Sequence, residues 1–201
     1  MKVLSGEARG VPLKTVPDMN TRPILDRIKK SLFSILESST LIQDARVADF
    51  YAGTGTQGIE ALSRGAEHCV FVERRPEAVD LLKENLAKTR LTEKADARCA
   101  SVGQVIGDLL QATPAVKFDL ILYDPPFSFS REGSSRAEAE REMALAGKLL
   151  YPNNGRLVLR FEKAAETPAP EGLQLARYWT DGPHAFAFFQ VKPETITPPA
   201  E

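Results

Sequence analysis

Apolar positions along this chain follow two periods in turn. Short runs dominated by apolar residues alternate with longer segments in which apolar side chains recur every three to four positions. The runs are 45–50 (ARVADF), 69–73 (CVFVE), 118–123 (FDLILY) and 156–162 (RLVLRFE), with 96–100 (DARCA) a weaker one. Apolar on both alternations, they predict strands covered on both faces, as in a parallel sheet. Segments 59–66, 76–89, 102–112 and 135–150 predict helices. Pro76 suits a first turn and Gly65 a helix stop, while Gly103 and Gly107 weaken the third of these helices.

Before the first strand, 21–36 (TRPILDRIKKSLFSIL) predicts a further helix, with Thr21 as N-cap and Pro23 in the first turn. Its apolar face is Ile24, Ile28, Leu32, Ile35 and Leu36. Residues 1–20 read as short extended pieces around Gly6 and Gly10, a hairpin. Beyond 162, a loop rich in Pro, Ala and Glu leads to two runs, 173–180 and 184–191, joined by Asp-Gly-Pro, which predict a second hairpin. The expected fold is therefore α/β: an open Rossmann-like sheet of parallel strands with right-handed crossovers, a C-terminal antiparallel hairpin and a short N-terminal β-hairpin arm. The expected organisation is an arm at 1–20, one domain at 21–192 and a flexible tail at 193–201.

Ligands of such sheets bind at the carboxyl ends of the strands, near the point where strand order reverses. Three strand ends therefore carry the candidate chemistry. The first is DFYAGTGTQG (49–58), in which Gly53, Gly55 and Gly58 have dinucleotide-fingerprint spacing. Glycines there let the backbone approach a ligand closely. Glu73 ends the next strand, 20 residues after Gly53, where a carboxylate can accept both hydroxyls of an adenosine ribose. Asp49 stands before the loop. A pyrophosphate would repel that acid, whereas S-adenosylmethionine, with its sulfonium and ammonium, can use it. The loop therefore favours S-adenosylmethionine over NAD.

The remaining strand end is Asp124-Pro125-Pro126-Phe127. A carboxylate at the end of a buried strand is costly unless it binds something. The prolines remove two backbone donors, so the turn presents acceptors, suited to the NH₂ group of a nucleobase. Acceptors on that group can aim its nitrogen lone pair at a methyl sulfonium and stabilise the positive charge that builds up. Phe127 is positioned to stack on the base.

Composition changes this picture little. The chain has 201 residues, 43% hydrophobic and 26% charged, and no apolar run approaches membrane-spanning length. Its start, MKVLSGEARG, has no signal-peptide character. Cys69 and Cys99 form no CxxC, and His68 and His184 are isolated, so no metal site and two reduced thiols in a cytoplasmic protein are expected. Charge does add something. The net value is −1, yet residues 1–30 hold seven basic groups (Lys2, Arg9, Lys14, Arg22, Arg27, Lys29, Lys30) against three acids (Glu7, Asp18, Asp26). A basic arm on an acidic body suits a polyanion-binding edge.

Asp-Pro-Pro-Phe following D-x-x-x-G-x-G resembles the amino-methyltransferases that modify exocyclic nitrogens of DNA and RNA. SGEARGVPLKT, TRPILDRIKKSLFSIL, DFYAGTGTQGIEALSRGA and YDPPF, in that order within 2–162, look like successive blocks of the RsmD-like family, bacterial 16S ribosomal RNA guanine-N2 methyltransferases. The resemblance implies a class I S-adenosylmethionine-dependent methyltransferase sheet at 21–192. It implies that Asp49, Gly53 and Gly55 hold the methionine part of the cofactor and Glu73 the ribose. Asp124, Pro125 and Phe127 would hold the guanine, and Arg9, Arg22 and Arg27 would meet RNA. Tyr51 stands in the cofactor loop where the family often has Phe. Ser101 stands where many members carry an acid or Asn near the adenine, so adenine recognition would rest on the backbone near Val102.

The implied substrate is 16S rRNA or an assembling small-subunit particle, with the target base flipped out, no membrane and a monomeric enzyme. Three other readings stay open. A DNA amino-methyltransferase shares the motif, but the chain lacks room for a large sequence-reading domain. An NAD-dependent oxidoreductase has no use for Asp49. A non-catalytic RNA-binding module has no use for Asp124.

Overall fold

The computed structural model describes residues 1–16, 24–126 and 134–193. Seven strands form one sheet: β1 Arg46–Phe50, β2 His68–Glu73, β3 Ala95–Cys99, β4 Leu120–Tyr123, β5 Arg156–Glu162, β6 Leu173–Asp181 and β7 His184–Val191. Their order is β3-β2-β1-β4-β5-β7-β6. Pairing is parallel from β3 through β5, and β7 inserts antiparallel between β5 and β6. The terminal hairpin thus joins the sheet through its second strand, and β7 alone runs against the rest. Strand order reverses between β1 and β4, so their carboxyl ends flank the binding crevice.

Helices α1 Asp26–Ser38, α2 Thr56–Ser63 and α3 Pro76–Thr89 pack on one face of the sheet, and α4 Val102–Gln111 and α5 Ser134–Gly147 on the other. Strand alternation divides the core between them. Val47, Phe71, Leu122 and Val158 face the first layer; Phe50, Val72, Ile121 and Leu159 face the second. No helix among the described residues is long and apolar enough to cross a membrane.

Three expected boundaries moved, each for a local reason. The helix placed at 21–36 begins at Asp26, because Leu25 is extended (φ −64°, ψ 144°); Thr21 and Pro23 lie outside the described residues. The helix placed at 59–66 begins at Thr56, so Gly58 belongs to its first turn rather than to the loop. The helix placed at 135–150 stops at Gly147, since the main chain of Leu149 and Tyr151 bonds with Phe118 instead (2.8 and 3.0 Å).

The N-terminal hairpin exists as a narrow ladder. Val3 N–H donates to Val11 O (3.0 Å) and Gly10 N–H to Val3 O (2.9 Å), with a single bridge between Lys2 and Pro12. It is fastened to α2 by a buried acid. Glu60, 0% exposed, accepts from the Leu4 and Ser5 amides (2.8 and 3.1 Å) and from Arg64 Nε (2.7 Å). It also pairs with Lys29 Nζ at 3.0 Å, and Lys29 is itself 0% exposed. Asn85 of α3 holds the hairpin's other end, bonding both Lys14 N–H and Lys14 O as well as Thr54 O.

Candidate active site

β1 and β4 deliver two carboxylates to adjacent positions at the carboxyl edge. Phe50 pairs in register with Tyr123, and the Asp124 amide donates to Phe50 O at 3.3 Å. Asp49 is 1% exposed, and its Oδ2 accepts from the Gly58 N–H at 2.8 Å. Burial pushes its carboxyl up to about 7; the Gly58 amide opposes this, and the neighbouring charges of Asp124 and Glu73 add to it. An acid so placed is held next to neutrality until a cation arrives.

The loop after β1 runs through left-handed backbone at Tyr51 (φ +64°), Gly53 (+56°) and Gly55 (+81°). A Cβ on Gly53 would meet no atom within 4 Å, so this main chain lines open space. Its amide donates to Glu73 Oε2 at 3.0 Å. The third glycine serves packing: a Cβ on Gly58 would lie 2.3 Å from the Phe71 ring and 2.8 Å from Cys69 Sγ. Small size there lets α2 lie close on β2.

Glu73 ends β2, 6% exposed. Besides Gly53, it accepts from the Arg75 amide and Arg75 Nε, both at 3.0 Å. Arg75 Nη2 adds a fourth donor, 3.4 Å from Oε2, so the roughly four lone-pair sites of the carboxylate are all met within the protein, two of them by the half-exposed Arg75 guanidinium. Ser101 is the N-cap of α4 in a reciprocal capping box with Gln104. Its side chain is thereby engaged in helix termination. Val102 is 4% exposed within the α4–α5 core, which leaves its main chain as the part able to meet an adenine.

Asp124 is gripped on both oxygens. Gln57 Nε2 donates to Oδ2 and Arg160 Nε to Oδ1, each at 2.7 Å. Register explains the second contact: Tyr123 pairs with Leu159, so Asp124 is level with Arg160 on the neighbouring strand. Pro125 is buried directly after it. The turn is therefore not purely an array of unused acceptors. Two of the carboxylate's lone-pair sites are committed to the scaffold and about two are left.

A further cluster joins the cofactor loop to α5. The hydroxyls of Tyr51 and Tyr123 both donate to Glu142 Oε1 at 2.7 Å, and their rings meet edge-to-face at 5.4 Å. Burial, reinforced by the Glu142 charge, raises both phenols above their ordinary value, so both remain donors.

The structure thus brings Asp49, Tyr51, Gly53, Gly55, Glu73 and Asp124, with Pro125, to one crevice, and sets Ser101 and Val102 just beyond Cys99 at the end of β3. Phe127 and Arg22 lie outside the described residues. The basic arm is more heavily paired than its sequence suggests. Lys29 is buried against Glu60, Lys14 pairs with Glu84, and Arg27 forms a two-pronged pair with Asp181 (2.8 Å for Nη1–Oδ2). Counting charges in sequence overstated what the arm can offer to a polyanion, because folding brings acids from α2, α3 and β6 to it. Arg27 does sit at the carboxyl edge, since Asp181 ends β6. Arg9 does not: Glu7 and Ala8 bond to Ser63 at the far end of α2, about 12 Å of helix from the loop.

Sequence reasoning missed Gln57, Arg75, Glu142 and Arg160. For Arg160 a signal was present. An arginine inside the apolar run RLVLRFE is as anomalous as Asp124 at the end of LILY, and the two anomalies are partners.

Comparison with known proteins places the chain. The family model described as Conserved hypothetical protein 95 matches residues 1–190. The chain is 29% identical over 192 residues to Ribosomal RNA small subunit methyltransferase D of Haemophilus influenzae, spanning 94% of this chain and 93% of that one. It is 30% identical over 127 residues to the Escherichia coli K12 protein of the same name, spanning 63% and 60% respectively. A solved structure of a hypothetical protein from Thermus thermophilus superposes with a TM-score of 0.78 at 30% identity, covering 95% of this chain and 99% of that one. With nearly its whole length matched, the chain belongs to the Conserved hypothetical protein 95 family, the RsmD-like family that its ordered sequence blocks within 2–162 resemble.

Proposed function

We propose that the protein transfers a methyl group from S-adenosylmethionine to the exocyclic N2 amino group of one guanine in 16S rRNA. The relatives named Ribosomal RNA small subunit methyltransferase D carry the coarser statement, an rRNA methyltransferase; the base, the nitrogen and the residue roles are our reading. The observation that carries it is the junction of β1 and β4. There a buried acid, an open glycine turn and an anchored carboxylate followed by two prolines share one crevice.

The crevice fits the cofactor on its own chemistry. Asp49, buried and raised to about 7, gains from a cation beside it. The Gly53 main chain borders open space, and ribose hydroxyls would take the place of the half-exposed Arg75 guanidinium on Glu73. When bound, S-adenosylmethionine supplies an electrophilic methyl group on sulfonium sulfur. Asp49 and the 53–55 main chain would hold its methionine part, Glu73 its ribose, and the first turn of α4 its adenine.

Asp124 would accept from the target amino group through its remaining lone pairs, turning the nitrogen lone pair toward the methyl carbon. Holding the nitrogen in line supplies much of the rate enhancement. As the new N–C bond formed and the methyl–sulfur bond broke, leaving a neutral thioether, positive charge would grow on nitrogen, and the carboxylate would stabilise it until the nitrogen released a proton to solvent. The base must leave its stack to reach a strand end this far inside the protein. Support for Arg27 as an RNA contact is its 69% side-chain exposure and its position at the carboxyl edge.

The test is methyl transfer to small-subunit particles isolated from cells lacking this activity, with the modified nucleotide mapped by mass spectrometry. N2-methylguanosine at one position is expected. Asp124→Ala should lose about 10²-fold or more in rate while calorimetric affinity for S-adenosylmethionine is largely kept. Methylation of another nitrogen or of duplex DNA, or an unimpaired Asp124→Ala enzyme, would refute the reading.

A further inference from the structure

We propose that Arg160, assisted by Gln57, is a positioning residue that compensates the charge of Asp124 and fixes the plane of its carboxylate, so that its remaining lone pairs point at the amino group to be methylated. This rests on the reading of Asp124 given above.

The Arg160 side chain is 9% exposed and that of Asp124 12%. A lone carboxylate in such surroundings would be costly and would tend to take up a proton. Protonated, it would turn one oxygen into a donor, the wrong partner for an amino group. Arg160 compensates the charge by direct contact, Nε to Oδ1 at 2.7 Å. Gln57 holds the other oxygen at the same distance from the opposite side, off the first turn of α2. With one donor on each oxygen, the carboxylate cannot rotate about its Cβ–Cγ bond without breaking both contacts.

The two donors come from the two halves of the crevice. Gln57 follows the cofactor loop on α2, and Arg160 belongs to β5, beside the strand that carries Asp124. The clamp therefore sets the orientation of Asp124 relative to both sides. An arginine on a buried strand is otherwise a poor choice for stability, since an ion pair away from water commonly gains little over apolar packing.

The experiment measures single-turnover methyl transfer against pH for Arg160→Gln and Arg160→Lys at saturating cofactor, whose cation holds the neighbouring acid Asp49 ionised so that the acid limb reports Asp124, with cofactor affinity followed by calorimetry. Arg160→Gln keeps a hydrogen-bond donor but removes the positive charge. The acid limb of its pH–rate profile should move to higher pH, with the rate down about tenfold or more near neutrality and recovering as pH rises. Arg160→Lys keeps the charge but loses the planar fork, so its acid limb should stay near that of the wild type at a lower plateau. Cofactor affinity should change less than about threefold in both.

An acid limb in Arg160→Gln that coincides with the wild type would overturn the proposal whatever the loss in rate. So would identical profiles for the Gln and Lys variants. If Arg160→Gln does not fold, Gln57→Leu replaces it. That change strips the donor from the other oxygen, and the same upward move is expected. Asp124→Ala separates the two levels of the argument. If it stays active, the role of Asp124 fails. If it is inactive while Arg160→Gln behaves as wild type, only the clamp fails.

Discussion

Replacing Glu60 by Gln tests how the N-terminal hairpin is held. The change is nearly isosteric, so packing is preserved. What is lost is the charge that compensates Lys29, a side chain with 0% exposure and a 3.0 Å contact to Glu60 Oε2. Leaving such a charge unpaired costs about 3–5 kcal/mol. One of the Leu4 and Ser5 amides would also face an NH₂ group instead of an acceptor, adding about 1–3 kcal/mol. Lys29→Met should be milder, about 1–2 kcal/mol: it forfeits the contact to Glu60 and the bond to Lys2 O, but Glu60 keeps Arg64 and both amides, so its charge stays compensated. The double variant should recover part of the loss, because no uncompensated lysine remains. Urea unfolding of the four proteins gives the coupling energy, expected at about 2 kcal/mol or more, within the range for contacting residues (roughly 0.5–3 kcal/mol). Hydrogen exchange at Leu4 and Ser5 should accelerate in Glu60→Gln. Additive single changes, or a Glu60→Gln loss below that of Lys29→Met, would refute the buried pair as the fastening.

If Asp49 holds the cofactor as proposed, binding is proton-linked. Its folded carboxyl, near 7 against an ordinary 3.8, binds a proton that the unfolded chain has released. Its contribution to stability is therefore greatest below about pH 4, falls as pH rises to about 7, and is level beyond. A bound cation favours the ionised form, so calorimetry in buffers of different ionisation heat should detect proton release approaching one per cofactor near about pH 6 and fading above about pH 8; Asp49→Asn should abolish it, and buffer-independent heats would exclude the linkage. Gly58→Ala should cost about 1–3 kcal/mol by overpacking against the Phe71 ring, read as a lowered Tm. Glu142→Gln removes the charge shared by the two tyrosine hydroxyls and should weaken cofactor binding about 3–10-fold, a loss of order 1 kcal/mol; an unchanged Kd would disconnect that cluster from the loop.

The alternation of apolar runs and helical periods determined the α/β class and nearly every strand, because a strand covered on both faces has to be apolar along both alternations. The glycine spacing and the acids at strand ends singled out the candidate crevice, since ligands of an open sheet collect where strand order reverses. Pairing across the fold was not legible. Asp124 meets Arg160 and Gln57 only because β4 lies beside β5 and α2 starts over β1. Glu142 meets two tyrosines from different strand ends only because α5 packs behind them. The same blindness made the arm look like a free basic edge. Counted along the chain, Lys14, Arg27 and Lys29 are unspent cations; in the fold each has an acid, brought from α3, β6 and α2. Periodicity is a local property that burial writes into each segment. Which charge faces which depends on strand order and helix packing, and only the tertiary structure decides that.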